Sequence, residues 1–122
     1  MNPALVKLRD SGRLRRADAA LGDWVARAYA DATGDATLAA ALTARAVGDG
    51  HSALELDRTE AWLASLEGNG AAPSLPPASS WREGLRQSPA VHRDAERTDE
   101  LRPLVLDGQD RVYLRRYFEY ER

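Results

Sequence analysis

The sequence predicts a mainly helical α+β fold, a small orthogonal helical bundle with a short antiparallel β-sheet or hairpin, winged-helix-like in outline. Apolar residues recur at helical spacing through most of the first half of the chain. Two short runs rich in β-forming residues flank a turn dipeptide near its end. The 122 residues, 43% hydrophobic and 30% charged, have the size and composition of one globular domain. We therefore expect residues 1–122 to form a single domain.

The first two helices are predicted from proline, glycine and apolar spacing. A short helix covers Pro3 to Asp10, because proline is tolerated in a first turn, and Ser11-Gly12 ends it. A longer helix follows Leu14 and ends at Thr33-Gly34. Its stripe is predicted to pack in the core and comprises Ala17, Ala20, Leu21, Trp24, Val25, Ala28 and Tyr29.

The third helix leads into a sharp corner. Asp35 is predicted to be its N-cap, and its small residues would let the preceding helix approach closely. Gly48 is predicted to end it in a left-handed conformation, with a second bend at Gly50 and a structural role for the His51 ring beside the turn backbone. A short strand is expected over residues 53–56. The predicted structural corner comprises Gly48, Asp49, Gly50 and His51.

Two more short helices are predicted in the middle of the chain. Asp57 and Glu60 resemble a capping box ahead of Trp62 and Leu63. Residues 67–79 are rich in Gly and Pro and indicate a surface loop. Ser80 and Glu83 repeat the capping pattern before Trp81 and Leu85, and Pro89 ends that helix. For the three tryptophans, core packing is favoured over base stacking.

The last part of the chain predicts a hairpin followed by a helix. A charged loop over residues 93–100 precedes two β-rich runs, 104–106 and 112–114, around Asp107-Gly108. Residues 115–122 return to helical spacing and contain neither a cap nor a glycine or proline stop. We expect further protein to follow this helix.

Composition and motifs argue against an enzyme within these residues. Cysteine is absent, which excludes disulfides, thiol catalysis and Cys-based zinc sites. The phosphate-binding pattern G-x-x-x-x-G-K-[ST] is also absent. His51 and His92 show no metal-ligand spacing. The sequence therefore predicts no catalytic, cofactor-binding or metal-binding residue in this fragment.

Charge and hydropathy limit the kinds of partner that this chain is expected to have. A net charge of −2 predicts no bulk attraction to nucleic acid. No apolar run reaches membrane-spanning length and no signal peptide is recognised, so we expect a cytoplasmic protein without a membrane partner.

Two groups of residues are candidates for binding. Exposed aromatic residues after the hairpin would contact a partner protein, or else pack on this domain or the next. A basic run near the N-terminus would contact phosphate if the domain were an accessory DNA-binding module, or else be a solvated helix junction. The candidate partner contacts are Tyr117, Phe118 and Tyr120, and the candidate phosphate contacts are Lys7, Arg9, Arg13, Arg15 and Arg16.

Several segments, in this order and spacing, resemble a known family. They are LRRAD at residues 14–18, TLAAAL at 37–42, GDGH at 48–51, and Tyr113-Leu114 followed by a basic and aromatic stretch. Together with WREGLRQSPAV and PLVLDGQDRVYLRRYFEYE, they are similar to the N-terminal domain of RecD, the alpha subunit of exodeoxyribonuclease V, the RecBCD helicase–nuclease. The similarity extends over nearly the whole chain.

The resemblance implies an assembly role. In that family the domain precedes a superfamily-1 helicase motor, which would follow residue 122 and is absent here. The parent subunit would be an ATP-driven 5′-to-3′ DNA translocase in double-strand break repair and recombination, requiring ATP and Mg²⁺. This domain would dock the motor onto a RecC-like subunit, with DNA met through the parent complex. None of the motor's catalytic residues falls within this chain.

Overall fold

A computed structural model describes residues 2–93 and 102–115. Within them, five α-helices combine with a four-stranded sheet, which confirms the predicted α+β class. The helices are α1 (Pro3–Asp10), α2 (Arg16–Ala28), α3 (Asp35–Gly48), α4 (Thr59–Ser65) and α5 (Ala78–Arg86). The strands are β1 (Leu54–Glu55), β2 (Val91–Arg93), β3 (Leu104–Leu106) and β4 (Arg111–Leu114).

The sheet is mixed, with the strand order β1-β4-β3-β2. The predicted hairpin is confirmed as the antiparallel pair β3–β4, and β1 pairs antiparallel to β4. The sequence did not predict β2, which runs parallel to β3 with Val91 opposite Leu104. Arg93, predicted to begin a charged loop, ends this strand. The predicted all-antiparallel sheet is corrected on this point.

Helix α3 lies at the centre of the fold. It packs against α2, and it also contacts β1 and β4 of the sheet. Ala39, Ala40, Ala41 and Leu42 have no exposed surface, so the helix is buried on several sides. On α2, Gly22 faces this helix so closely that a Cβ there would lie 2.9 Å from the Thr37 carbonyl oxygen. The predicted close approach of these two helices is confirmed.

Three predicted helix starts differ from the structure. Helix α3 is preceded by Gly34 at φ 81°, so Asp35 is its first residue and not its cap. A single 3₁₀ turn (Leu56–Arg58) precedes α4 without a side-chain cap, and the Thr59 hydroxyl donates to the Glu55 carbonyl at 2.7 Å. Helix α5 begins at Ala78, two residues before the predicted Ser80 cap.

The left-handed residue in the corner after α3 is not the predicted one. Gly48 is the last helical residue, and Gly50 adopts the left-handed conformation with φ 97°. The N–H of His51 donates to the Ala46 carbonyl and that of Gly50 to the Val47 carbonyl, each at 3.0 Å. This pair of bonds is a Schellman motif, whose left-handed residue follows the helix cap. Helix α3 thus ends at this corner, and Gly50, not Gly48 as predicted, takes the left-handed conformation.

Candidate protein-interaction site

Helix α2 has a buried face and an exposed face, and the exposed face includes an apolar stripe. The buried face carries Asp18, Ala19, Gly22 and Val25. The opposite side carries residues at helical spacing that are exposed, among them a tryptophan. We call this set the outer stripe, and it comprises Ala17, Ala20, Trp24 and Ala28.

Trp24 dominates the outer stripe. It is 45% exposed and is the large hydrophobic residue that stands out at the surface of the described chain. The ring of Tyr29 meets it edge-to-face, with 6.0 Å between the ring centroids. The prediction that Trp24 packs in the core is wrong, because Gly22 and Val25 turn the other face of α2 toward α3. A fixed, exposed indole is the kind of side chain that anchors protein interfaces.

The other two tryptophans do pack inward. Trp81 is 1% exposed, and its indole Nε1 donates to the Asp35 carbonyl at 3.0 Å, which fastens α5 to the start of α3. Trp62 is half-buried against the core. The core prediction is therefore confirmed for Trp81 and partly for Trp62.

A buried carboxylate fixes the start of α2. Asp18 is 1% exposed and accepts from the Arg15 backbone N–H at 2.9 Å. The same carboxylate accepts from Arg15 Nε at 3.0 Å and Nη2 at 2.8 Å, and this bonding raises the pKa of the guanidinium. Arg15 Nη2 also donates to the Ala44 carbonyl of α3 at 3.1 Å. These bonds hold α2, and with it the outer stripe, in a set position on α3.

The five basic residues predicted as phosphate contacts divide between internal and surface positions. Arg13 is buried, and its Nη2 donates to the Gly70 carbonyl at 2.9 Å, so it holds the long loop against the helices. Arg15 bonds Asp18 and α3. Lys7 and Arg16 are exposed, whereas Arg9 is half-buried beside Asp10. Two of the five thus stabilise the domain itself.

The turn between β3 and β4 is organised by Asp107. Its Oδ1 accepts from the backbone N–H groups of Gln109 and Arg111, and its Oδ2 accepts from Arg111 Nε at 2.7 Å. Burial raises the pKa of Asp107, but these hydrogen bonds outweigh burial and leave the pKa below its ordinary value. The predicted Asp-Gly turn is therefore fixed mainly by the aspartate.

The left-handed residue of this turn is Asp110, with φ 59°, and not Gly108. Asp110 Oδ2 accepts from Arg82 Nη1 at 2.7 Å, which ties the hairpin to α5. A wing that met DNA would present cations to phosphate, yet this tip carries two carboxylates that pair with arginines of the domain. The geometry gives the DNA-binding alternative little support.

The remaining candidate residues lie in different situations. His51 is exposed, and its ring meets Trp62 edge-to-face at 6.2 Å. Tyr117, Phe118 and Tyr120 lie outside the described residues.

Within residues 2–93 and 102–115, no three His, Asp or Glu side chains are grouped as a metal site. No helix in that part of the chain is both long and apolar enough to cross a membrane.

Comparison with protein families places the chain. A family model described as the N-terminal domain of the RecBCD enzyme subunit RecD matches residues 10–113 of the 122. The chain belongs to the RecD N-terminal domain family. The resemblance inferred from the sequence is thereby confirmed. A search of curated proteins gives no match.

In this RecD-family domain, the outer stripe can be recognised only from the way α2 packs in the structure. A helical stripe predicts that one face is apolar, but α2 has small or apolar residues on two faces. Gly22 is the signal that distinguishes them. A glycine inside a helix costs stability unless a neighbouring backbone approaches it, so its face is the packed one.

Proposed function

We propose that this chain is the assembly domain of a RecD-type subunit, which docks an ATP-dependent 5′-to-3′ DNA helicase motor onto a RecC-like subunit for double-strand break repair and recombination. The family match over residues 10–113 is the observation that carries this proposal. The motor would follow residue 122, and ATP and Mg²⁺ would act there and not in this domain. The assembled enzyme would work in the cytoplasm and meet DNA through the parent complex.

The outer stripe supports a docking role. Ala17, Ala20 and Ala28 share the outer stripe with Trp24, so a partner helix can approach the α2 backbone closely along this stripe. Trp24 would then fill a pocket on the partner and bury its exposed surface. The Asp18–Arg15 bonds hold this surface before binding, which lowers the entropy lost on docking.

Deleting the domain from the full-length subunit tests the proposal. The RecD-type subunit, with and without residues 1–122, is expressed with an affinity-tagged RecC-like subunit and purified through the tag. We expect the intact subunit to co-purify in a stoichiometric complex and the truncated one to be lost. Normal assembly of the truncated subunit would contradict the proposed function.

A point substitution tests the surface. Trp24→Glu in the full-length subunit changes a side chain that is 45% exposed, and it places a charge where the partner would bind. We expect affinity for the RecC-like subunit to fall about 30-fold or more, the loss typical of an aromatic anchor. Ala61→Glu, at an exposed position on α4, is the matched control. Equal affinities of the two variants for the RecC-like subunit would show that the outer stripe is not the docking surface.

A further inference from the structure

A cleft of about 400 Å³ opens where the corner after α3 meets the β1 edge of the sheet. It is separate from the outer stripe, because α3 lies between α2 and these strands. Its size is within the range of pockets that hold a small ligand or a projecting side chain. The residues that decide its chemistry are His51, Glu55, Arg58, Trp62 and Arg111.

One wall of the cleft is aromatic, and apolar residues line it as well. The rings of His51 and Trp62 lie edge-to-face, 6.2 Å apart, and line the opening. Ala46 and Leu54 also line the cleft and are nearly fully buried. An apolar or aromatic side chain entering here would contact both rings, and its apolar surface would be shielded from water.

The two guanidinium groups of the cleft differ in how firmly they are held. Arg111 Nε bonds Asp107 at 2.7 Å, and that carboxylate is only 8% exposed. Arg58 Nε lies 3.3 Å from Glu55, but the two side chains are 79% and 45% exposed. An ion pair this exposed contributes little free energy, so Arg58 can exchange Glu55 for an incoming carboxylate at small cost.

The charge balance favours a peptide over a nucleic acid. Glu55 lines the cleft, and Arg111 is already neutralised by Asp107 outside it, so a chain of phosphates would meet one carboxylate and one exchangeable cation. Binding of single strands normally uses a groove with several unneutralised cations. A peptide needs one carboxylate for Arg58 and one apolar side chain for the aromatic wall.

We propose that this cleft binds a segment of a partner protein in which an aromatic side chain is next to a carboxylate. The aromatic ring packs against Trp62 and His51, and the carboxylate accepts hydrogen bonds from Arg58. This site is independent of docking through the outer stripe, so either proposal can fail while the other holds.

Titration of the ¹⁵N-labelled chain with short peptides tests the site by NMR. The probe is a capped Asp-Phe-Asp tripeptide, and its neutral counterpart is Asn-Phe-Asn. We expect the acidic peptide to shift the indole N–H resonance of Trp62 saturably while that of Trp24 stays unchanged. We also expect Arg58→Gln to weaken the acidic peptide about threefold, in keeping with the small free energy of an exposed ion pair, and to leave the neutral one unaffected.

Arg27→Gln is the matched control. Arg27 is 73% exposed and pairs with Asp23 on α2, an ion pair of the same kind away from the cleft. Four results would overturn the proposal: no saturable Trp62 shift at millimolar peptide, equal affinity of the two peptides for the unaltered chain, an equal loss in Arg27→Gln, or tighter binding of oligodeoxythymidylate at the same resonance.

Discussion

Arginine side chains join elements of this domain that are distant in sequence. Arg13 reaches the loop at Gly70, and Arg15 reaches the α3 carbonyl of Ala44. Arg45 returns from α3 to the carbonyl of Arg13 at 3.0 Å. A guanidinium suits this task because its planar fork donates in several fixed directions and keeps its charge when partly buried. Arg13 and Arg15, two of the candidate phosphate contacts, thus have hydrogen-bond partners within the domain.

Two glycines two residues apart differ in their sensitivity to alanine substitution. Gly50 is left-handed, so Gly50→Ala should cost about 1–2 kcal/mol of unfolding free energy. A Cβ at Gly48 would meet the Arg15 guanidinium and shift its bonds to Asp18 and Ala44, but Gly48 is not left-handed and alanine is the better helix former. Gly48→Ala should therefore cost about 0.5 kcal/mol, less than Gly50→Ala. Urea denaturation of both variants measures the difference, and a larger loss at Gly48 would contradict the Schellman assignment.

The low pKa of Asp107 predicts a pH dependence of stability. Its native pKa lies below the unfolded value of about 3.9, so the ionised carboxylate stabilises the fold above that pH. This contribution is lost as the pH falls through the native pKa. We expect Asp107→Asn to lower the unfolding free energy by about 1–2 kcal/mol at pH 7 and by less at pH 3.

Asp23→Asn is the control for this pH series. Asp23 pairs with the largely exposed Arg27, so its loss should change stability by less than about 0.5 kcal/mol at pH 7. Denaturation curves at both pH values for the two variants complete the test. A deficit of Asp107→Asn that grew toward pH 3 would show that the sign is wrong.

The close contact between α2 and α3 determines how far apart these two helices lie. A Cβ on Gly22 would lie 2.9 Å from the Thr37 carbonyl oxygen and 3.1 Å from Ala41 Cβ, so the helices would have to separate. We expect Gly22→Ala to cost about 2 kcal/mol despite the gain in helix propensity. Thermal denaturation measures this, with Ala20→Ser on the exposed side of α2 as a near-neutral control. A stabilised Gly22→Ala variant would refute close packing here.

The elements also show what local sequence predicts and what it does not. The β3–β4 hairpin was predictable because Leu104–Leu106 and residues 112–114 are β-rich and adjacent along the chain. Strand β2 was not, because Val91–Arg93 is three residues long and becomes a strand only by pairing with β3. The outward orientation of Trp24 depended likewise on a partner, the α3 backbone opposite Gly22.

For the whole molecule, the charge distribution predicts weak contact with DNA. The net charge is −2, and the hairpin carboxylates and two of the five N-terminal basic residues have internal partners. We expect fluorescence anisotropy to detect no salt-dependent binding of duplex or single-stranded DNA between about 50 and 200 mM salt. Affinity that falls steeply over that range would restore the DNA-binding alternative, and loss of that affinity in Lys7→Gln would assign it to the basic run.

Alanine methyl groups set the spacing on both sides of α3. Ala39, Ala40 and Ala41 are fully covered, with α2 and the sheet as neighbours of the helix. A tightly packed interior transmits displacement instead of absorbing it. The amide protons of α3 should therefore be among the slowest to exchange in heavy water. A single methyl group added to α3 would change the distance between the outer stripe and the cleft. We therefore expect substitutions at these alanine positions to be confined to the smallest side chains.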